Sequence, residues 1–205
     1  MPRRVILFLF VAAAQLAVPA WMLVGHERVR KDGAVFLFRT APVDPRDPFR
    51  GEYVRLNFEA QQGSWTAPDA GTMEYGQRNA FALLDTDSLG YARITALVDH
   101  APDNGPYLPI RYWTMGDEGT VNSLELPFDR YYLEEGDGPK TEALLAPDWS
   151  SGSPSTPLPA HAVVRILHGQ AVITDLVVGE RSIHDWLKDP PKEASPAATS
   201  VLTGS

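Results

Sequence analysis

The sequence predicts an all-β domain, a barrel or sandwich of about seven or eight short strands, preceded by one N-terminal transmembrane helix. Three observations support this fold class. Residues 5–25 contain no charged side chain. From Gly33 onward, apolar residues alternate at the two-residue period of a strand, not the 3.6-residue period of a helix. Clusters of Gly, Pro, Asn and Asp separate the alternating runs, as turns between strands do.

Residues 5–25 are the candidate membrane anchor. About twenty apolar residues in a helix span a hydrocarbon core of about 30 Å. Pro19 lies inside the run, which transmembrane helices tolerate. Arg3 and Arg4 favour a cytoplasmic N-terminus, whereas basic residues at positions 28, 30 and 31 weaken that preference. The rest of the chain is therefore expected outside the cytoplasm, in the periplasm.

Two other interpretations of this run remain open. A signal peptide would use Val18-Pro19-Ala20 as its cleavage site, but apolar residues continue through Val24. A core helix is the third interpretation, although the run is too uniformly apolar for a small domain. The anchor and the signal peptide both send the remaining chain across the membrane.

Eight runs beyond the anchor have strand character, at 34–40, 53–59, 79–84, 91–99, 107–114, 120–126, 162–167 and 171–178. Pro109 indicates that its run is an edge strand or begins later. The last two runs surround a tight turn and predict a β-hairpin. Residues 139–146 predict one short helix, with proline near its start. The expected organisation is an anchor with flanks at 1–31, a β-domain at 32–187 and a disordered, Pro/Ala/Ser-rich tail at 188–205.

Composition excludes several functional classes. The 205-residue chain has no cysteine, which removes disulfides, thiolate metal sites and cysteine nucleophiles. Outside residues 1–31, thirteen basic side chains oppose 25 acidic ones, a net charge of about −12 that disfavours nucleic-acid binding. His161 and His168 lie at opposite ends of one predicted strand and cannot share an ion. Phosphate-binding and nucleophile motifs are missing, so we predict no catalytic residue, metal or cofactor.

A stiff, charged loop at 42–52 is the first candidate functional site. Two Asp-Pro pairs force extended or turn geometry, and Gly51 allows a tight entry into the next strand. Mixed charges on a rigid loop cost little entropy to order, so they suit a docking surface. The alternative is that the aspartates cap their own turns and the arginines neutralise them. The candidate partner-binding residues here are Asp44, Arg46, Asp47, Arg50, Gly51, Glu52 and Tyr53.

Residues 51–58, Gly-Glu-Tyr-Val-Arg-Leu-Asn-Phe, resemble the motif of the GDYxxLxY family of membrane-anchored bacterial proteins. Glu52 stands where the family has Asp, and Phe58 where it has Tyr. Residues 128–136 are similar to a second family pattern, from which Arg130 and Tyr131 join the candidate partner-binding residues. The resemblance implies an N-terminal anchor and an exported domain, and no particular activity.

These observations together predict a non-catalytic binding or assembly component, tethered beside an integral membrane or envelope protein. A tether raises the effective concentration of such a partner. Tyr107, Arg111 and Trp113 share one face of their predicted strand and form a second candidate recognition face if the other face is core. The alternative function is a tethered cell-envelope hydrolase with two carboxylates converging in a cleft.

Overall fold

The computed structural model of the chain describes residues 3–41, 53–68, 76–114, 119–145 and 158–189. These residues contain twelve strands, and the all-β class predicted from the sequence is confirmed. The strands are β1 (Ala34–Ala41), β2 (Tyr53–Arg55), β3 (Asn57–Phe58), β4 (Gln62–Thr66), β5 (Gly76–Thr86), β6 (Ala92–Val98), β7 (Tyr107–Thr114), β8 (Thr120–Glu125), β9 (Arg130–Tyr132), β10 (Ala160–Leu167), β11 (Gln170–Val178) and β12 (Arg181–Ser182). The helices are α1 (Arg3–Asp32), α2 (Gly138–Leu145) and α3 (Ile183–Lys188).

Helix α1 is apolar enough to cross a membrane. It is 30 residues long and continues through Pro19. Its most apolar 18-residue window has a mean hydropathy of 2.2, and none of that window is buried against the domain. Leu7, Phe10 and Trp21 are among the large apolar side chains left exposed. Length, composition and exposure therefore agree with the predicted transmembrane helix.

The C-terminal end of α1 is fixed to the β-domain. Val29 is only 1% exposed, in contrast to the preceding apolar residues. The Gly33 N–H donates to the Val29 carbonyl at 3.0 Å. Arg165 Nη1 donates to the carbonyl oxygens of Lys31 and Gly33, each at 3.2 Å. Because these bonds satisfy carbonyls at the helix end, the helix passes into β1 through an ordered junction.

The first sheet has five antiparallel strands in the order β12-β11-β10-β1-β3. Strands β10 and β11 form the hairpin that the sequence predicts. Its two turn residues, His168 and Gly169, have φ of 48° and 77°. Two consecutive positive φ angles are typical of a type I′ turn, whose twist matches that of the flanking strands.

The second sheet has the order β4-β8-β7-β5-β6 and is also antiparallel. Its two outer strands approach each other, and the indole N–H of Trp65 in β4 donates to the carbonyl of Ile94 in β6 at 3.0 Å. The sheet is therefore nearly closed into a barrel. An isolated bridge between Leu37 and Tyr91 connects it to the first sheet.

The segment that carries the GDYxxLxY-like residues passes through all three sheets. Strand β2 pairs with β9 as a separate two-stranded sheet. Leu56 then donates its N–H to the Asp129 carbonyl at 2.7 Å, which ties the two family-like stretches together. Strand β3 joins β1 in the first sheet, and β4 joins β8 in the second after a 3₁₀ turn at Glu59–Gln61. This segment therefore connects the sheets.

The same segment supplies the centre of the core. Val54, Leu56 and Phe58 are 2%, 0% and 1% exposed, which confirms the predicted apolar face of this run. The Phe58 ring packs edge-to-face against Phe38 and Phe128, with centroids 5.8 and 5.4 Å away. Edge-to-face rings at these distances add stabilisation beyond the area that they bury.

Three details differ from the sequence predictions. The described strands exceed eight because the run at 53–59 is divided at Leu56 and because β4, β9 and β12 are additional short strands. Strand β7 begins at Tyr107 and lies between β5 and β8, so it is not an edge strand. It tolerates Pro109 because β8 pairs only with Arg111 and Tyr112. The predicted short helix is confirmed as α2, whereas α3 was not expected.

Candidate functional site

The predicted partner-binding residues divide into two groups. Asp44, Arg46, Asp47, Arg50, Gly51 and Glu52 lie outside the described residues. Tyr53, Arg130 and Tyr131 are described, and the structure brings them together although 77 positions separate the first two in the sequence. Strands β2 and β9 place them, with Tyr53 opposite Tyr132, Val54 opposite Tyr131 and Arg55 opposite Arg130.

The outer face of the β2–β9 sheet is aromatic and basic. The guanidinium carbon of Arg130 lies 5.0 Å from the centroid of the Tyr53 ring, a cation–π contact. The rings of Tyr53 and Tyr132 are 5.8 Å apart between centroids. Tyr132 is 67% exposed, so this stacked group faces solvent. Tyrosine and arginine are among the residue types enriched where proteins bind other proteins.

Asp129 orients the two arginines of this face. Its carboxylate lies 3.2 Å from Arg55 Nε and 3.6 Å from Arg130 Nε. A hydrogen bond with Tyr132, followed by the negative charge of Asp129, raises the pKa of Arg130 above its ordinary value. The guanidinium is thus held in one place by a ring, a hydroxyl and a carboxylate, and it stays charged.

Tyr131 lies inside the domain, in contrast to its neighbours in β9. It is 5% exposed, and its hydroxyl lies 3.1 Å from His184 Nε2 at the start of α3. Burial, with a smaller contribution from the charge of Asp175, raises the pKa of Tyr131 to about 12. Successive strand residues point to opposite faces, so Arg130 and Tyr131 cannot both lie on one surface. Tyr131 therefore does not share the exposed outer face with Arg130, and its side chain packs inside the domain.

A groove lies between the end of α1 and the β2–β9 sheet. It is lined by His26, residues 127–132 and residues 171–173 of β11, and has a volume of about 530 Å³. We call it the helix-side groove. His26 follows the uncharged run of α1 by one residue. The groove therefore opens beside the point where the apolar part of the helix ends.

The second predicted recognition face is confirmed in its geometry. Leu108, Ile110 and Tyr112 are at most 3% exposed and form the inner face of β7. On the opposite face, Arg111 is exposed and Trp113 is 57% exposed.

A cleft beside this face has a volume of about 400 Å³, and we call it the sheet-face cleft. Its polar lining residues are Asn79, Asp99, Arg111 and Glu125, and its apolar lining includes Ile110 and Leu126. It thus contains the two carboxylates that the hydrolase alternative requires. However, Arg111 Nη2 lies 2.9 Å from the Glu125 carboxylate.

Each of the two carboxylates in the sheet-face cleft has a basic partner, His100 for Asp99 and Arg111 for Glu125. A general acid needs a raised pKa, yet a hydrogen bond with His100 lowers the pKa of Asp99. Glu125 is paired with a guanidinium. Within the described parts of the chain, no three His, Asp or Glu side chains come together as a metal site. In the described part of the chain, both carboxylates of this cleft are thus engaged by basic side chains, an arrangement that suits ligand binding.

Several residues of these sites were not identified from the sequence. Tyr132 and Arg55 lie on the outer face of the small sheet, and a strand assignment for 130–132 would have placed Tyr132 beside Arg130. No pattern in the sequence indicates that His26 lines the same groove as residues of β9 and β11, because that arrangement depends on how α1 joins the domain. Asn79 and Glu125 reach Arg111 only through strand pairing.

The family resemblance is confirmed by comparison with known proteins. The family model described as GDYXXLXY protein matches residues 15–176. The matched segment begins inside α1 and ends in β11, so it includes both family-like stretches and the helix-side groove. No curated protein and no solved structure matches the chain. Since the family model covers most of its length, the chain belongs to the GDYXXLXY protein family.

Proposed function

We propose that this protein is a single-pass membrane-tethered binding or assembly component. Its β-domain lies outside the cytoplasm, on the periplasmic side, and holds an integral membrane or envelope protein at the helix-side groove. The observation that carries this proposal is the position of the groove, which the last turns of α1 line through His26. A partner that shares the membrane meets this groove without leaving the membrane surface, so its effective concentration there is high.

The composition of the groove supports a protein partner. Arg130 and Tyr132 are exposed. The Arg130 guanidinium is fixed by a cation–π contact with Tyr53 and an ion pair with Asp129. A side chain that is already fixed loses little entropy when it binds, which favours a few strong contacts. Among the described residues that line the groove, Asp129 supplies a carboxylate and it is paired with Arg55 and Arg130, which suits binding better than hydrolysis.

The end of α1 supports retention of the anchor. Cleavage after Ala20 would leave the apolar residues Trp21 to Val24, which are exposed, at the new N-terminus of the mature protein. The helix instead continues to a buried Val29 and an ordered junction. Arg3 and Arg4 at the N-terminal end favour the cytoplasmic side for that end. Mass measurement of the mature chain tests retention, since an N-terminus at Trp21 would contradict it.

Site-specific photocrosslinking in native membranes tests the partner proposal. A photoreactive residue replaces Tyr132, which is exposed in the groove, or Leu89, which is 69% exposed in the turn between β5 and β6. We expect the Tyr132 position to capture one integral membrane or envelope protein and the Leu89 position not to capture it. Capture of the same proteins from both positions would refute the groove as the binding site.

A substitution in the groove separates specific capture from proximity. Arg130→Ala is expected to reduce capture from position 132 by more than about tenfold, because a central arginine is often a hot spot. Arg93→Ala is the matched control, since Arg93 is an exposed arginine that pairs with Asp85 at 3.2 Å in the other sheet. Both variants should melt like the wild type. Unchanged capture by Arg130→Ala would mean that the partner binds elsewhere.

A further inference from the structure

The open face of the second sheet carries an exposed tryptophan beside a polar row. Trp113 in β7 is 57% exposed and lies opposite Gln77 of β5. Two positions along the strand, Arg111 lies opposite Asn79 on one side and Glu125 on the other. Two strand positions correspond to about 7 Å, so the ring and the polar row lie side by side on one face.

The polar groups of this face are available to a ligand. In the described residues, the indole N–H of Trp113 and the amide of Asn79 have no hydrogen-bond partner. Arg111 uses one nitrogen for Glu125 and keeps other N–H donors. A free amide and a guanidinium beside a carboxylate thus line the sheet-face cleft, together with the apolar Ile110 and Leu126. The exposed ring of Trp113 lies next to this cleft, two strand positions from Arg111.

We propose that this face binds an extended chain of neutral pyranose sugars. The flat C–H face of a pyranose ring stacks on an exposed indole, and its hydroxyl groups both donate and accept hydrogen bonds. Asn79 and Arg111 offer donors, and Asp99 and Glu125 offer acceptors, in the adjoining cleft. One sugar covers Trp113 while the next occupies the sheet-face cleft. Pro127 lines both the sheet-face cleft and the helix-side groove, but Trp113, Asn79 and Arg111 do not line the groove, so this proposal does not depend on the proposed protein partner.

Other ligand classes fit this face less well. A nucleic acid or another phosphate-bearing polymer would bring negative charge to Asp99 and Glu125. An extended peptide binds through the main chain of a free strand edge, whereas Trp113 and Arg111 lie in β7 between β5 and β8. A neutral sugar chain needs neither a free edge nor excess positive charge.

Titration of the full chain with chitohexaose, a neutral six-sugar oligomer, tests the proposal. The protein is held in phospholipid nanodiscs, because sugar-based detergents would compete for the site. Ligand-observed NMR is expected to show saturable binding with a dissociation constant of about 1 mM or lower, as an open cleft allows. Absence of saturable binding to the wild type up to about 10 mM would overturn the proposal.

Three variants locate the binding. Trp113→Ala should weaken binding by about tenfold or more, and Asn79→Ala should weaken it by a smaller factor. Leu89→Ala is the control, since Leu89 is also an exposed apolar residue, at 69%, and lies outside the cleft lining. Melting curves show whether each variant folds. If Trp113→Ala does not fold, the affinity of Asn79→Ala for the oligomer tests the proposal in its place. Equal affinity of the wild type and a folded cleft variant would also overturn the proposal.

Discussion

Replacing Gly33 by alanine should loosen the junction between α1 and the β-domain. A Cβ at this position would overlap the Val29 carbonyl oxygen and would lie 3.0 Å from the Ile166 nitrogen and 3.1 Å from the Arg165 Cβ. Two of these neighbours are backbone atoms, which cannot rotate away. Overpacking of this kind costs about 1–3 kcal/mol of unfolding free energy. For a chain of this size, that loss lowers the melting temperature by about 2–12 °C.

Gly25→Ala is the matched control for this prediction. Gly25 lies in α1, about two turns before the junction, but an added Cβ there would meet no atom within 4 Å. Alanine is the better helix former, so this variant should melt at or slightly above the wild-type temperature. Both proteins are compared in nanodiscs by thermal unfolding. If Gly33→Ala melts as high as Gly25→Ala, the junction is not closely packed and the reasoning is wrong.

Three further predictions concern the core, one buried hydroxyl and the tail. Phe58→Ala should cost about 3–5 kcal/mol in denaturant unfolding, because the ring is 1% exposed, whereas Phe58→Tyr keeps the ring and should lose less; equal losses would contradict this. Burial raises the pKa of the Tyr131 hydroxyl from 10 to about 12. The folded state therefore keeps its full stability from this neutral hydroxyl below pH 10, and about 2 kcal/mol of unfolding free energy is lost as the pH rises to 12. Stability measured against pH should show this loss diminished in Tyr131→Phe and retained in Tyr132→Phe. Deletion of residues 190–205 should leave the melting temperature unchanged, because their composition supplies little apolar surface; a clear decrease would show that the tail packs on the domain.

The sequence predicted the parts of the fold in which a periodic pattern is long. The strands β1, β5, β6, β10 and β11 have at least seven residues each, and alternation is visible over six or more of them because one face of each strand is buried in one core. The strands β4, β9 and β12 have two to five residues. Runs of this length are fixed by their partners and carry too little pattern to recognise.

The candidate sites depended more strongly on tertiary contacts. Arg130 was selected from a family-like stretch, but its contacts with Tyr53 and Asp129 exist only once β2 and β9 pair. Tyr131 was predicted beside it, but the strand β9 was not predicted, and in a strand residues 130 and 131 point to opposite faces. The exposed face of Trp113 was predictable, because β7 is long enough for its two faces to be distinguished.

Because α1 runs without a break from the apolar segment to the β-domain, the rotation of the apolar segment about the helix axis is fixed relative to the β-domain. Because Val29 and Gly33 fix the last turn, the direction of each apolar side chain is set relative to the sheets. One residue inserted after His26 would rotate the apolar segment by about 100° and shift it by about 1.5 Å along the axis. Four inserted residues would return it to within about 40° of its original orientation. The β-domain therefore determines which side of the helix a neighbouring helix can contact.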